Sequence, residues 1–245
     1  MLSWNCQGAA SASFRRILKQ FLRLHKPSLV CLFESKVSGA QANEICSSFG
    51  FDEWIRVESV GYSGGIWLFW NDTLSIEILY THPQFISFQV TEIGSLPWLM
   101  SAVYGSPNLA LRRRLFADLS GQFFEPQGPW LTVGDFNSIT NRSEVNGSES
   151  FTLSRCSAFN SWIFREGLVD LGYSGSIYTW MRGIDTPSFK GARLDCALCN
   201  IEWNLRFSAA SVTHLPMIGS DHSPCSFLQL SGSRSSIGSG STWLG

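Results

Sequence analysis

With 245 residues, 44% of them hydrophobic and only 15% charged, the chain has enough apolar material for one large core and lies far from the composition of a disordered protein. Its formal charge of -1 excludes a protein that holds nucleic acid by bulk positive charge, so any such partner must be gripped by local charge. No stretch approaches the roughly 18 apolar residues of a membrane span, and the N-terminus lacks a secretory pattern, so a soluble chain is expected, nuclear or cytoplasmic rather than secreted.

In chain order, Ser3-Trp4-Asn5 ends a first apolar strand. Phe14, Ile17, Leu18, Phe21 and Leu24 then recur at spacings of three and four, which predicts an amphipathic helix closed by Pro27, with Arg15, Arg16, Lys19 and Arg23 on its wetter side. The run Leu29 to Phe33 predicts a strand with Glu34 at its end, and residues 39–49 a weaker helix stopped by Gly50. Residues 51–103 read as successive strands, with Gly64-Gly65 marking a turn or a close backbone approach, Asn71-Asp72 a hairpin turn, and Tyr104 ending the last strand.

A helical segment follows that carries Arg112-Arg113-Arg114, the one compact basic run, read either as a solvated helix face or as a contact to a DNA backbone. Trp130 to Val133 predicts a buried strand that delivers Asp135 and Asn137 at its end, residues 153–164 a further helix, and Arg193-Leu194-Asp195 the opening of another strand. Leu215 to Ile218 is broken by Gly219 just before Ser220-Asp221-His222. Residues 1–230 are expected to form one domain, and residues 231–245, mostly Ser and Gly, a flexible tail.

Seven cysteines, an odd number set mostly inside apolar runs, point to reduced buried thiols. Cys196 and Cys199 form a C-x-x-C without a second pair of ligands at comparable spacing, which reads as two thiols in a strand rather than a zinc site. The acceptor patterns at Asn71, Asn141 and Asn146 carry no weight without a secretory signal.

Strands and helices alternate irregularly here, which favours two packed sheets flanked by helices over a doubly wound parallel sheet. Polar residues recur where the strands stop. In order and local motif, Asn5, Glu34, Tyr104, Asp135, Asn137, Asp195, Asp221 and His222 resemble the endonuclease/exonuclease/phosphatase superfamily, over nearly the whole chain. The stretches Ser3 to Gly8, Pro27 to Val30, Glu34-Ser35-Lys36, Gly64 to Trp70, Tyr178-Thr179-Trp180 and Arg193-Leu194-Asp195 look like the endonuclease domain of plant LINE-type non-LTR retrotransposons, without room for the reverse transcriptase that normally follows.

The resemblance implies an α+β fold, a four-layer α/β/β/α sandwich of the DNase I-like kind, and a Mg²⁺-dependent endonuclease that nicks DNA to leave a 3′-hydroxyl, with Mn²⁺ as an alternative ion. Mg²⁺ takes oxygen ligands and needs only one or two carboxylates; Glu34, Asn5 and Asp221 are the expected metal residues. Asp135 is expected to deprotonate the attacking water and Asn137 to hydrogen-bond the scissile phosphate. His222, oriented by Asp195, is expected to hold a phosphate oxygen as an imidazolium, Tyr104 to add a phenolic donor, and Arg193 to brace the loop of Asp195.

Tyr178-Thr179-Trp180 reads as support. Gln7 stands where related repair enzymes have an acid, and Cys196 follows Asp195 where plant elements more often show Arg. DNA is the expected partner, with neither a membrane nor a stable protein partner. Two other functions fit the same residues: a catalytically inactive relic that at most binds nucleic acid or protein, and a phosphatase or phosphodiesterase acting on a phosphoester outside nucleic acid.

Overall fold

The computed structural model describes residues 1–60, 63–122, 126–147 and 153–228; the predicted tail at 231–245 lies outside them. Among the described residues one sheet has seven strands, ordered β10 (Ser174–Gly175), β14 (Ser211–His214), β15 (Cys225–Leu228), β1 (Leu2–Asn5), β2 (Leu29–Phe33), β4 (Ser63–Trp70) and β3 (Glu53–Val60). The other has six, ordered β5 (Leu74–His82), β6 (Phe85–Glu92), β7 (Trp98–Tyr104), β8 (Trp130–Asp135), β13 (Asp195–Cys199) and β9 (Val169–Asp170). A separate antiparallel pair, β11 (Trp180–Arg182) and β12 (Lys190–Ala192), completes the strands.

The alternation of side chains along each strand sorts the core into three layers. Cys31 and Phe33 of β2, Ile66 and Leu68 of β4, Met100 and Ala102 of β7, and Leu131 and Val133 of β8 meet between the sheets. Their neighbours Val30, Leu32, Trp67 and Phe69 face outward onto α1 (Ala12–His25) and α2 (Gly39–Ser47), while Leu99, Val103, Trp130 and Leu198 face α3 (Leu109–Ala117) and α4 (Leu153–Arg165) on the other side. The result is the expected four-layer α/β/β/α sandwich, DNase I-like in fold.

Local chemistry fixes the element ends. Ser11 caps α1 by accepting the Phe14 amide at 3.1 Å, and Lys26, left-handed at φ 44°, closes the helix one residue before Pro27. Asn108 caps α3 through the Ala110 and Leu111 amides. The Asn71-Asp72 turn corrects one expectation: it joins β4 to β5, which lie in different sheets, so it carries the chain across the sandwich rather than closing a hairpin. The Gly64-Gly65 pair sits inside β4, and a Cβ on Gly65 would lie 2.4 Å from Ser35 Oγ, so the close approach, not a turn, requires glycine there. The three arginines also divide: Arg113 and Arg114 are exposed, whereas Arg112 is buried with Nη1 on Ser106 O at 2.6 Å. No helix among the described residues is long and apolar enough to cross a membrane.

Candidate active site

The same alternation that builds the core places the polar strand ends. Asn5, Tyr104 and Asp135 share parity with the inward-facing residues of β1, β7 and β8, and they follow the last apolar layer at one end of the sandwich. The register brings further partners level with them: Asn5 lies beside Phe33, Tyr104 beside Asp135, and Asp195 beside Asp135. Four of the six non-glycine residues with left-handed backbone among the described residues, Gln7, Glu34, Lys36 and Asn137, border the same cavity. Such conformations cost roughly 1–3 kcal/mol each and persist where the surroundings hold them.

Asp135 is wholly buried. Its Oδ2 accepts Asn5 Nδ2 at 2.8 Å and Asn137 Nδ2 at 3.1 Å, and its Oδ1 accepts the Asn137 amide at 2.8 Å. His222 Nδ1 lies 2.8 Å from Asp195 Oδ2, and its Nε2 faces Asp135 Oδ2 at 3.9 Å. The Asp135 carboxyl is raised to about 7, chiefly by burial, with His222 opposing the rise and Asp195 adding to it. Burial lowers the His222 pKa, but the carboxylates of Asp195 and Asp135 outweigh burial and hold it at about 9. Ligand atoms of Asp135, Asp195 and His222 lie within 4.8 Å of one another. An imidazole that keeps its proton between two carboxylates already fills this group with a cation, so its chemistry is that of an acid–base pair.

The oxygen set around Glu34 suits a hard cation better. Glu34 lies just beyond β2, Asn5 Oδ1 accepts the Gln7 amide at 3.2 Å, and Lys36 Nζ sits 2.9 Å from Glu34 Oε2 and 3.0 Å from Gln7 Oε1. A carboxylate beside amide oxygens offers the kind of oxygen donors that a hard divalent cation takes.

Three sequence expectations meet different partners. The Tyr104 hydroxyl donates to Glu34 Oε1 at 2.5 Å rather than standing free for a phosphate; burial, then Glu34, raise its pKa and keep it protonated. The Asn137 side-chain amide is held by Gly105 O at 2.8 Å as well as by Asp135, so it buttresses the carboxylate. The Asp221 carboxylate, expected with Glu34 and Asn5, accepts Trp180 Nε1 at 3.0 Å and Arg182 Nε at 2.9 Å through Oδ2. Arg193 braces its loop by pairing with Glu144 at 2.8 Å and Asp170 at 2.6 Å.

Thr179 has a larger structural part than its sequence suggests. Its Oγ1 lies 2.9 Å from the Leu194 amide and 3.0 Å from the Asp195 amide, and its carbonyl accepts the Ser223 amide, so one residue ties both halves of the Asp195–His222 pair. Trp180 pairs with His222 as an isolated bridge, and Trp4 Nε1 donates to His222 O at 3.0 Å. The cavity above these residues encloses about 620 Å³, and its walls carry Lys36, Arg112, Arg182 and Lys190. Basic groups that are scattered in sequence therefore gather on one face. A second cavity of about 700 Å³, lined by Met1, Lys26, Thr73 and Trp98, lies at the opposite strand ends.

A profile of the Endonuclease/Exonuclease/phosphatase family matches residues 2–222. Similar solved structures include an AP endonuclease from Archaeoglobus fulgidus, at TM-score 0.70 and 16% identity, covering 93% of this chain and 98% of that one. The endonuclease domain of TRAS1, a telomere-specific non-LTR retrotransposon, gives 0.63 and 14%, covering 93% and 96%. A 3′ phosphatase from Neisseria bound to product DNA hairpin gives 0.63 and 17%, covering 93% and 98%. No curated protein matches the sequence significantly. At these identities the likeness shows the fold.

Proposed function

Because the chain belongs to the endonuclease/exonuclease/phosphatase family, we propose that it is a divalent-metal-dependent DNA endonuclease, derived from a LINE-type retrotransposon, that hydrolyses a phosphodiester to leave a 3′-hydroxyl. The observation that carries this reading is a wholly buried Asp135 carboxyl facing, at 3.9 Å, the imidazole of His222 that Asp195 holds at 2.8 Å, beside a cavity walled by four cations. A general base poised near the working pH and a fixed positive donor are the two groups that phosphodiester hydrolysis asks of a protein.

In this reading Glu34 and Asn5 hold Mg²⁺ or Mn²⁺, which supplies charge neutralisation at the phosphate and at the departing alkoxide. Asp135 takes the proton of the attacking water. Its two asparagine partners fix the direction of its lone pairs, because donors on both oxygens leave the carboxylate few orientations. His222 lines the cavity and its Nε2–H binds a non-bridging phosphate oxygen, while Asp195 keeps the ring charged and oriented. Lys190 and Arg182 on β12 and β11 meet flanking phosphates.

The TRAS1 fold likeness and the retroelement-like stretches favour DNA over another phosphoester. End analysis of a labelled duplex, run beside an inositol polyphosphate, separates the two: the proposal expects DNA ends that a polymerase extends without further treatment, and release of inorganic phosphate from the inositol substrate alone contradicts it.

A further inference from the structure

Both oxygens of Glu34 are engaged. One receives the Tyr104 hydroxyl at 2.5 Å, and the other receives the Lys36 ammonium at 2.9 Å. The ammonium is not merely a surface ion pair, because left-handed backbone at Gln7, Glu34 and Lys36 turns all three side chains to one corner of the cavity, where Gln7 Oε1 also accepts Lys36 Nζ at 3.0 Å. Gln7 is neutral. A carboxylate in its place would share the lysine charge, whereas here the one full anionic partner of Lys36 in the pair is Glu34.

Lys36 also lines the cavity together with Asp135, Asn137 and His222, so its ammonium needs only rotation about its flexible four-carbon stem to reach a ligand bound there. Two cations within about 3 Å of one carboxylate repel strongly. A divalent ion that takes Glu34 therefore competes with the ammonium, and the cavity that Lys36 lines is where a bound phosphate would receive it.

We propose that Lys36 is a built-in counter-cation: its ammonium occupies the divalent-ion position on Glu34 in the resting protein and transfers to a phosphate oxygen of bound DNA when the metal enters. The inference rests on Glu34 as a metal residue. It makes metal and DNA bind with positive coupling, because each ligand relieves the cost that the other meets at Lys36.

The test measures binding, not turnover, with the full chain. Mn²⁺ affinity without DNA is read from the electron paramagnetic resonance of the free ion for the parent, Lys36→Met, Lys36→Gln and Glu34→Gln, each with a native near-ultraviolet circular dichroism spectrum. DNA affinity is read by fluorescence anisotropy in Ca²⁺ and in chelator. Either lysine variant is expected to bind Mn²⁺ at least about fivefold tighter than the parent, and to lose most of the Ca²⁺-dependent gain in DNA affinity. Lysine variants that bind Mn²⁺ no tighter, while Glu34→Gln abolishes binding, overturn the counter-cation and leave the metal site standing. Unchanged Mn²⁺ binding in Glu34→Gln overturns both.

Discussion

Asn5 and Asp135 belong to different sheets and meet across the sandwich, Asn5 Nδ2 donating to Asp135 Oδ2 at 2.8 Å with both side chains fully buried. The bond closes the layer of polar strand ends over the apolar core. Replacing Asn5 with Ala removes a donor from a buried carboxylate, and the expected loss is about 1–3 kcal/mol of stability together with a fall in activity, measured by urea unfolding and by cleavage rate. A variant as stable as the parent would mean that Asp135 finds another donor.

In the proposed mechanism the Asp135 and His222 protons set the pH dependence. Asp135 must be ionised to accept a proton, and burial raises its carboxyl to about 7; His222 must be charged, and it stays so up to about 9 because Asp195 and Asp135 outweigh burial. The rate is expected to rise through about 7 and fall beyond about 9, a bell with a narrow top. Asp195→Asn removes the nearer carboxylate and should move the upper limb to lower pH. The His222 contribution to stability is present in full below its ordinary 6.5 and lost as pH rises through about 9, so the melting-temperature gap between parent and His222→Gln should close between about pH 6 and pH 10.

Gly134 gives β8 the room to run beside β7. A Cβ there would stand 2.0 Å from Val103 O, and the backbone already lies at φ 141°, which an L side chain rarely adopts. Gly134→Ala is expected to cost at least about 3 kcal/mol, or to prevent folding, as read by thermal melting. Gly94→Ala is the comparison, since its Cβ meets open space at φ 75° and should cost only the local strain.

Thr179 tests the claim that support and chemistry are linked. Thr179→Val keeps shape but leaves the Leu194 and Asp195 amides without Oγ1, and Thr179→Ser restores it. The valine variant is expected to lose about 1–3 kcal/mol and to lower the His222 limb of the pH profile as Asp195 shifts, with serine returning both. A pH profile unmoved by valine would confine Thr179 to stability.

Much of this arrangement is legible in the sequence because strand-end polarity is a local signal. Asp135 follows Trp130 to Val133 and is aimed by a period of two, and Glu34 follows Leu29 to Phe33, although it takes a left-handed backbone to turn it to the cavity. The irregular alternation of strands and helices points to two packed sheets flanked by helices, and the family resemblance supplies the four-layer order. What could not be read is what depends on long-range meetings. β11 and β12 have three residues each and no measurable period, so the hairpin that carries Trp180, Arg182 and Lys190 to the cavity leaves no trace. Arg182 reaches Asp221, Lys36 reaches Gln7, and Tyr104 reaches Glu34 over separations that no motif encodes. The turn at Asn71-Asp72 has hairpin chemistry, and only the sheet order shows that it changes sheets.

Conversion of supercoiled plasmid to open circles in Mg²⁺ reports whether Asp135 and His222 together cleave DNA. The parent is expected to nick, and Asp135→Ala and His222→Ala, each folded by circular dichroism, to nick at least about a hundredfold more slowly, as loss of a general base or of a fixed charge entails. A folded parent that leaves the plasmid supercoiled, or equal nicking by all three, would contradict the proposed mechanism.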